Sequence, residues 1–348
     1  KDLASKTQDY TVEQRRWFHR YPELSLQEVK TTEHIESELR KMGYEEIQRF
    51  ENHTGLCAML YGGKAEAGCR TVALRADIDA LPVLEKTGLP FASENEGIMH
   101  ACGHDNHMAM LLGAAKMLIE TKDELKGNVK LIFQAAEETG CGAEYYVEAG
   151  ILDGVDAIFG QHVWATLDEP YLNVQPGPRM ASMDCFTIEV NGVSAHATQP
   201  HMGIDALLAA CAIVNNIQSF ISRNNDPLNP LIVSIGELHA GQRHNIIANH
   251  ATLSGTTRTF DSAFRQKIED GLRRIAENTA KAFGAEATLK YERFANALIN
   301  DDEELNQIAH DAAVKLYGED CLKELPKMMG SEAFSFYSEK IPAIFGYV

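Results

Sequence analysis

The sequence predicts an α/β protein in which a mostly parallel mixed sheet lies between helices and a second, smaller α+β domain is inserted. Three observations lead there. Strand-length apolar runs alternate with helix-periodic segments through the first half of the chain, the pattern of a parallel sheet with crossover helices. The character changes at Pro176-Gly177-Pro178. Beyond that point the segments follow the order β-α-β-β-α-β, the ferredoxin-like unit.

In chain order, residues 11–20 read as a helix ending at Tyr21-Pro22, where proline moves its predecessor out of the helical region. A second helix over 26–42 stops at Met42-Gly43. Strands follow at 56–61 and 71–75. Residues 105–120 place Met108, Leu111, Leu112, Ala115, Leu118 and Ile119 at helical spacing. Then come a strand at 129–133, a helix near 142–149 and an apolar strand at 156–160. In the inserted part the predicted elements are strand 183–191, helix 203–222, strands 231–238 and 251–260, helix 262–284 and strand 286–292. A helix at 302–317 and a strand beginning at Ile344 return to the first domain. The domains are therefore expected to be 1–179 with 294–348, and an insertion at 180–293.

The length, 348 residues, suits two domains, because single cores stop growing at roughly 250–300 residues. A net charge of −18 speaks against nucleic acid and anionic membranes as partners. No apolar run approaches the roughly 20 residues of a membrane span, and no apolar leader opens the chain at KDLASKTQDY. The seven scattered cysteines are not a small disulfide scaffold and fit a reducing cytoplasm.

Four polar clusters fall at or beside predicted strand ends, the edge where open α/β sheets bind ligands. The first is Ala76-Asp77-Ile78-Asp79. The second, His100 to His107, holds Cys102 and His104 on a glycine-containing loop that opens an apolar helix. Thiolate and imidazole suit zinc, and imidazole also suits cobalt or nickel. The third carries the adjacent Glu137 and Glu138, and two neighbouring carboxylates need a division of labour, one on a metal and one facing water. The fourth is Gly160-Gln161-His162. Singly, each has a plain structural reading as a turn, a helix cap, a solvated acidic pair or a hydrogen-bonded histidine. Together they would gather Cys102, His104, Glu138 and His162 at one sheet edge, ligands enough for one or two divalent cations.

The stretches PELSLQE, LRADIDALP, MHACGHDNHMAML, QAAEETGCGA, GQHVWATL, AHATQPHMGIDAL, HNIIANHATLSGTTRTF and MGSEAFSFY carry a resemblance, in order, from about residue 10 to the end. The chain resembles the aminoacylase and hippurate hydrolase-type amidohydrolases (metallopeptidase family twenty, subfamily D). These belong to the di-metal exopeptidase superfamily that also holds the plant auxin-conjugate hydrolases. The resemblance implies two divalent ions, of Zn, Mn, Co or Ni, held by Cys102 as a bridge with His104, Glu138 and His162. It implies Glu137 as general base and acid, and Asp79 beside the metals. From the inserted lid domain it implies His196 reaching the cleft to hold the oxyanion, Asn245 and Arg258 contacting substrate carbonyl or carboxylate, and a homodimer. It implies a further histidine ligand beyond the last strand, past Val348. Ala333 stands where such proteins carry an acidic residue. His201 and His244 are expected at the surface, and Trp17 and Trp164 in packing.

The expected reaction is hydrolysis of the amide bond of an N-acyl amino acid or related conjugate. The alternatives are a dipeptidase or carboxypeptidase on small peptides, and a catalytically silent metal- or ligand-binding protein. Retention of Glu137 speaks against the last, since a binding protein needs no base.

Overall fold

The structure is a computed structural model that describes residues 1–140 and 142–348; Cys141, one of the seven cysteines read above, lies outside the described residues. The chain falls into two compact units, the first 1–179, 299–326 and 333–348, the second 180–298 with 327–332. The short return of Lys327–Glu332 to the second unit has no counterpart in the sequence pattern.

The first unit opens with helices α1 (Asp2–Arg20) and α2 (Val29–Met42). Gly43 ends α2 in the left-handed region at φ 102°, which a side chain would disfavour. Next come β1 (Ile47–Arg49), β2 (Leu56–Leu60), β3 (Thr71–Asp77), α3 (His104–Glu120), β4 (Asn128–Gln134), α4 (Gly142–Glu148), β5 (Ala157–His162) and β6 (Gly177–Met180). The second unit contributes β7 (Asp184–Asn191), α5 (Ala206–Asn224), β8 (Leu231–Ala240), β9 (His250–Thr259), α6 (Ser262–Ala282) and β10 (Glu286–Arg293). The chain then forms β11 (Leu298–Asn300), α7 (Glu303–Tyr317), α8 (Ser335–Ser338) and β12 (Ala343–Tyr347). Among the described residues no helix is long and apolar enough to cross a membrane.

The first unit's sheet has the order β1-β2-β4-β3-β5-β12. The run β4-β3-β5-β12 is parallel, while β1 and β2 add antiparallel pairs. Strands covered on both faces read as unbroken apolar runs. That is why β12 is buried at all five positions and β4 over its last four. Helix α3 lies on β3 and carries α1 against it.

Register sets the site. β3 and β4 end together, Asp77 opposite Gln134. Arg75 of β3 pairs with Gly160 of β5, so Asp77 and His162 arrive at the same carboxyl edge two residues later.

The second unit is a four-stranded antiparallel sheet in the order β10-β7-β9-β8. Its core joins Phe186, Ile188, Val190 and Leu253 of the sheet to Ile213, Ile217, Ile268 and Leu272 of the two helices. β7 alternates buried and half-buried positions, as expected for a sheet with one covered face. Asp205 and Asp261 cap α5 and α6 by accepting from the backbone N–H of Leu208 and Phe264.

Candidate metal centre

Two turns, one helix start and the end of β5 meet at the carboxyl edge of the first sheet. Beyond β3 the chain carries Asp79. Beyond β4 it enters the left-handed region at Ala136, φ 57°, before a single 3-10 turn, Glu137–Thr139. Cys102 and Gly103 lead into α3. Gly103 sits at φ 95°, and a Cβ there would lie 2.4 Å from Val163 Cγ2, so only glycine lets this loop approach the end of β5.

The side chains converge in two triads whose donor atoms lie within 4.8 Å of one another: Cys102 with His104 and His162, and His104 with Glu137 and Glu138. Cys102 Sγ is 3.3 Å from His162 Nε2. His162 Nδ1 donates to the Val163 carbonyl at 2.5 Å, leaving the Nε2 lone pair for the centre. His104 Nδ1 likewise donates to the Asp79 carbonyl at 2.8 Å. His104 Nε2 is buried without a hydrogen-bond partner, as is Glu138 Oε1, and the two lie 3.9 Å apart. Buried polar atoms are rarely left unpaired. An orphaned imidazole nitrogen facing an orphaned carboxylate oxygen, beside a thiol, is the donor set a divalent cation takes. The residues fit a metal centre.

A third cluster, Asp77, His104 and His107, has a different use. His107 Nδ1 donates to Asp77 Oδ1 at 2.5 Å, and its Nε2 accepts the Val163 N–H at 2.9 Å. Both ring nitrogens are engaged, so His107 orients the end of β5 and offers no lone pair. Asp77 also accepts from Arg75 at 2.8 Å.

The electrostatics agree. Burial opposes ionisation of Asp77, yet His104, His107 and Arg75 hold its carboxyl well below the usual carboxylate range. Burial also opposes charge on His104, but Asp77 and Asp79 outweigh it and raise the imidazole well above its ordinary value. With Nδ1 already donating to Asp79, that charge is a proton on Nε2, which a bound cation would displace. Burial pushes His162 down to about 3 and the Cys102 thiol up to about 11. The imidazole is thus neutral, as a ligand must be, and a bound cation would be needed to ionise the thiol.

Glu137 is nearly buried, and one of its carboxylate oxygens accepts the Ala333 N–H at 3.0 Å. Asp79 reaches the centre through its neighbours. Its Oδ2 accepts from Ser25 at 2.6 Å and from the Glu138 N–H at 2.9 Å, and its Oδ1 lies 3.3 Å from His104. The sequence reading does not single out the parts of Asp77 or His107. For His107 a signal exists: three residues after His104, it shares that helix face.

His196, Asn245 and Arg258 belong to the second unit. His196 and Asn245 are exposed on paired segments, the Ala197 N–H donating to the Asn245 carbonyl at 3.0 Å. Arg258, on β9, is half-buried, its guanidinium donating to Thr256 and to the Thr257 carbonyl. His201 and His244 are exposed. Trp17 stacks on His34 at 3.6 Å, and Trp164 packs edge-on to His162 and Tyr347.

Fold and site together define a metal-dependent hydrolase of the two-unit α/β kind. The chain belongs to peptidase family M20/M25/M40, whose model matches residues 73–348. It is 40% identical to the N-acetyl-L-cysteine deacetylase of Bacillus subtilis over 96% of this chain and 78% of that protein. It is 39% identical to the N-acyl-L-amino acid amidohydrolase of Geobacillus stearothermophilus over 87% and 81%. Among solved structures, a putative aminohydrolase from methicillin-resistant Staphylococcus aureus superposes with TM-score 0.93 at 32% identity, over 100% of this chain and 88% of that one. Bacillus subtilis YXEP, described as a dinuclear metal binding peptidase of the M20 family, does so with TM-score 0.85 at 38% identity, over 99% and 89%.

Proposed function

We propose that the protein hydrolyses the amide bond of N-acyl amino acids or related amino-acid conjugates, using two divalent ions at the centre of the first unit. The observation that carries this is the pair of buried, unpartnered atoms, His104 Nε2 and Glu138 Oε1, set beside Cys102, His162 and Glu137. The names of the deacetylase and amidohydrolase relatives support the substrate class. Zinc, manganese, cobalt and nickel all suit this mixed donor set, and loading is expected to decide among them.

When bound, the ions supply Lewis acidity for the scissile carbonyl and lower the pKa of water toward neutrality. Glu137 takes the proton of the attacking water and returns it to the leaving nitrogen, so that amide and water become carboxylic acid and amine. The Ala333 N–H fixes the aim of the Glu137 carboxylate. Asp79 positions Glu138 and His104. His196 donates to the oxyanion, and Asn245 and Arg258 hold the substrate carbonyl and carboxylate. The second unit also serves as the surface of a homodimer, and the protein works in the cytoplasm, a reading its unpaired described cysteines support.

The test is hydrolysis of N-acetyl, N-benzoyl and p-aminobenzoyl amino acids by protein loaded with each metal, against chelated protein. Metal-dependent release of the free amino acid is expected; absence of release from every substrate with metal bound would sink the proposal. A second reading, cleavage of small peptides from their carboxyl end, has a specific support. The chain is 37% identical to thermostable carboxypeptidase 1 of Saccharolobus solfataricus over 100% of this chain and 88% of that protein. Dipeptides and blocked peptides in the same assay separate the two.

A further inference from the structure

The stretch PELSLQE, residues 22–28, lies far along the chain from every group of the metal centre, yet it touches two of the turns that build it. The Glu23 carbonyl accepts the Ala80 N–H at 2.8 Å, and Leu24 bridges Ala80 in parallel. Ser25 donates to the same Asp79 oxygen that accepts the Glu138 N–H. Glu28 is completely buried, and its Oε1 accepts the Ala136 N–H at 2.9 Å, while its Oε2 accepts from the Thr54 hydroxyl. The loop is closed onto α2 by the Glu23 carboxylate, which accepts from the Thr31 N–H and hydroxyl at 2.8 and 2.9 Å.

Backbone strain marks the same two segments. Among the described residues the positive-φ positions that are not glycine are Leu26, φ 65°, and Ala136, φ 57°. A left-handed residue with a side chain crowds its Cβ against the following carbonyl oxygen and persists where its surroundings over-determine it. Leu26 makes the bend between Ser25 and Glu28, and it is 54% exposed, so no burial of its own side chain explains the conformation. Ala136 is the residue immediately before Glu137. A carboxylate buried without a charged partner is expensive, and this one is spent on the N–H of the strained peptide that aims Glu137 and Glu138.

We infer that loop 22–28 is a positioning clamp for the reacting carboxylates, with Glu28 holding the Ala136 turn and Ser25 holding Asp79. It sets metal affinity and turnover without touching substrate. The inference rests on the metal-centre reading above for its metal half only. Relaxation of Ala136 would swing both glutamates off the centre, and misplacements near 1 Å cost on the order of 100-fold in rate. Groups that orient metal ligands are typically worth 10–100-fold in affinity.

The experiment measures Zn(II) affinity by competition with a fluorescent chelator, and kcat and KM of the metal-saturated enzyme, for Glu28→Ala, Glu28→Gln, Ser25→Ala and the control Ile35→Val. Ile35 is a buried α2 residue outside the site, and its variant reports simple loss of stability. Glu28→Ala is expected to weaken Zn(II) binding about 10–100-fold and to lower kcat by a similar factor with a smaller change in KM. Glu28→Gln keeps an oxygen for the Ala136 N–H and is expected to recover most of both. Ile35→Val is expected to lower Tm and leave Zn(II) affinity unchanged. Folded Glu28→Ala with Zn(II) affinity and kcat within twofold of the parent overturns the inference. If Glu28→Ala does not fold, Ser25→Ala decides, and unchanged Zn(II) affinity there overturns it equally. Zn(II) affinity is read without substrate, so the clamp can fail while amide hydrolysis stands, and the reverse.

Discussion

Glu137 and Glu138 are chain neighbours, and the turn after Ala136 sends them to different tasks. Glu138 keeps a buried oxygen without a hydrogen bond, facing His104 Nε2, while one Glu137 oxygen is steered by the Ala333 N–H. Glu137→Gln is therefore expected to retain its metal and lose about 10²–10⁴-fold in kcat. Steady-state kinetics with elemental analysis of the same sample check this, and near-parental turnover would remove Glu137 from the role of base. The two carboxylates and the thiol were readable as chemistry because their residue types are unusual beside one another. The work of His107 was not, because it depends on which two atoms occupy its nitrogens, and those come from β3 and from the end of β5.

Between helices α1 and α2, His34 lies stacked on Trp17, with Nε2 against Gln14 Oε1 at 2.7 Å. Burial pushes its imidazole down to about 4 from the ordinary 6.5; Glu38 opposes the shift and Lys41 adds to it. The folded state thus binds its proton more weakly than the unfolded chain. Its contribution to stability is intact above about pH 6.5 and is lost as pH falls toward about 4. Tm measured from pH 7 to pH 4 is expected to fall less steeply in His34→Phe, which keeps a ring over Trp17; an unchanged slope would rule His34 out as a source of acid sensitivity. In the second unit, Arg265 donates from Nε to both Asp184 oxygens at 2.9 Å, and Tyr291 donates to Asp184 at 2.7 Å. Removing one partner leaves a buried charge, so Arg265→Ala is expected to cost about 3–5 kcal/mol in denaturant melts. A loss under 1 kcal/mol would show that water replaces the guanidinium.

Each unit carries its own core, so the whole chain is not expected to unfold in one two-state step. All the metal donors lie in the first unit. Metal at 100 times its Kd stabilises the folded form by about 2.7 kcal/mol. Calorimetry with increasing metal is therefore expected to move one transition upward and leave the other in place. Arg265→Ala is expected to lower the stationary one. If both transitions moved equally with metal, the units would unfold as one body and the metal would stabilise both.

Periodicity along the chain was enough to find the long strands and helices, because their apolar spacing reports which face is covered. The helix at 11–20 nevertheless extends back to Asp2, and the second begins at Val29, not 26, because the loop before it is held by contacts to Asp79 and Ala136. Short pieces such as β1, β6, β11 and α8 carry too few residues for any period to show. The donor residues were legible as types and spacings. Their convergence was decided by strand register, which brings Asp77, Gln134 and His162 to one edge, and by left-handed backbone at Gly103 and Ala136. Register and turn handedness follow from hydrogen bonds between segments far apart in the chain, such as Glu28 to Ala136, 108 residues on, and no local reading of the chain contains them.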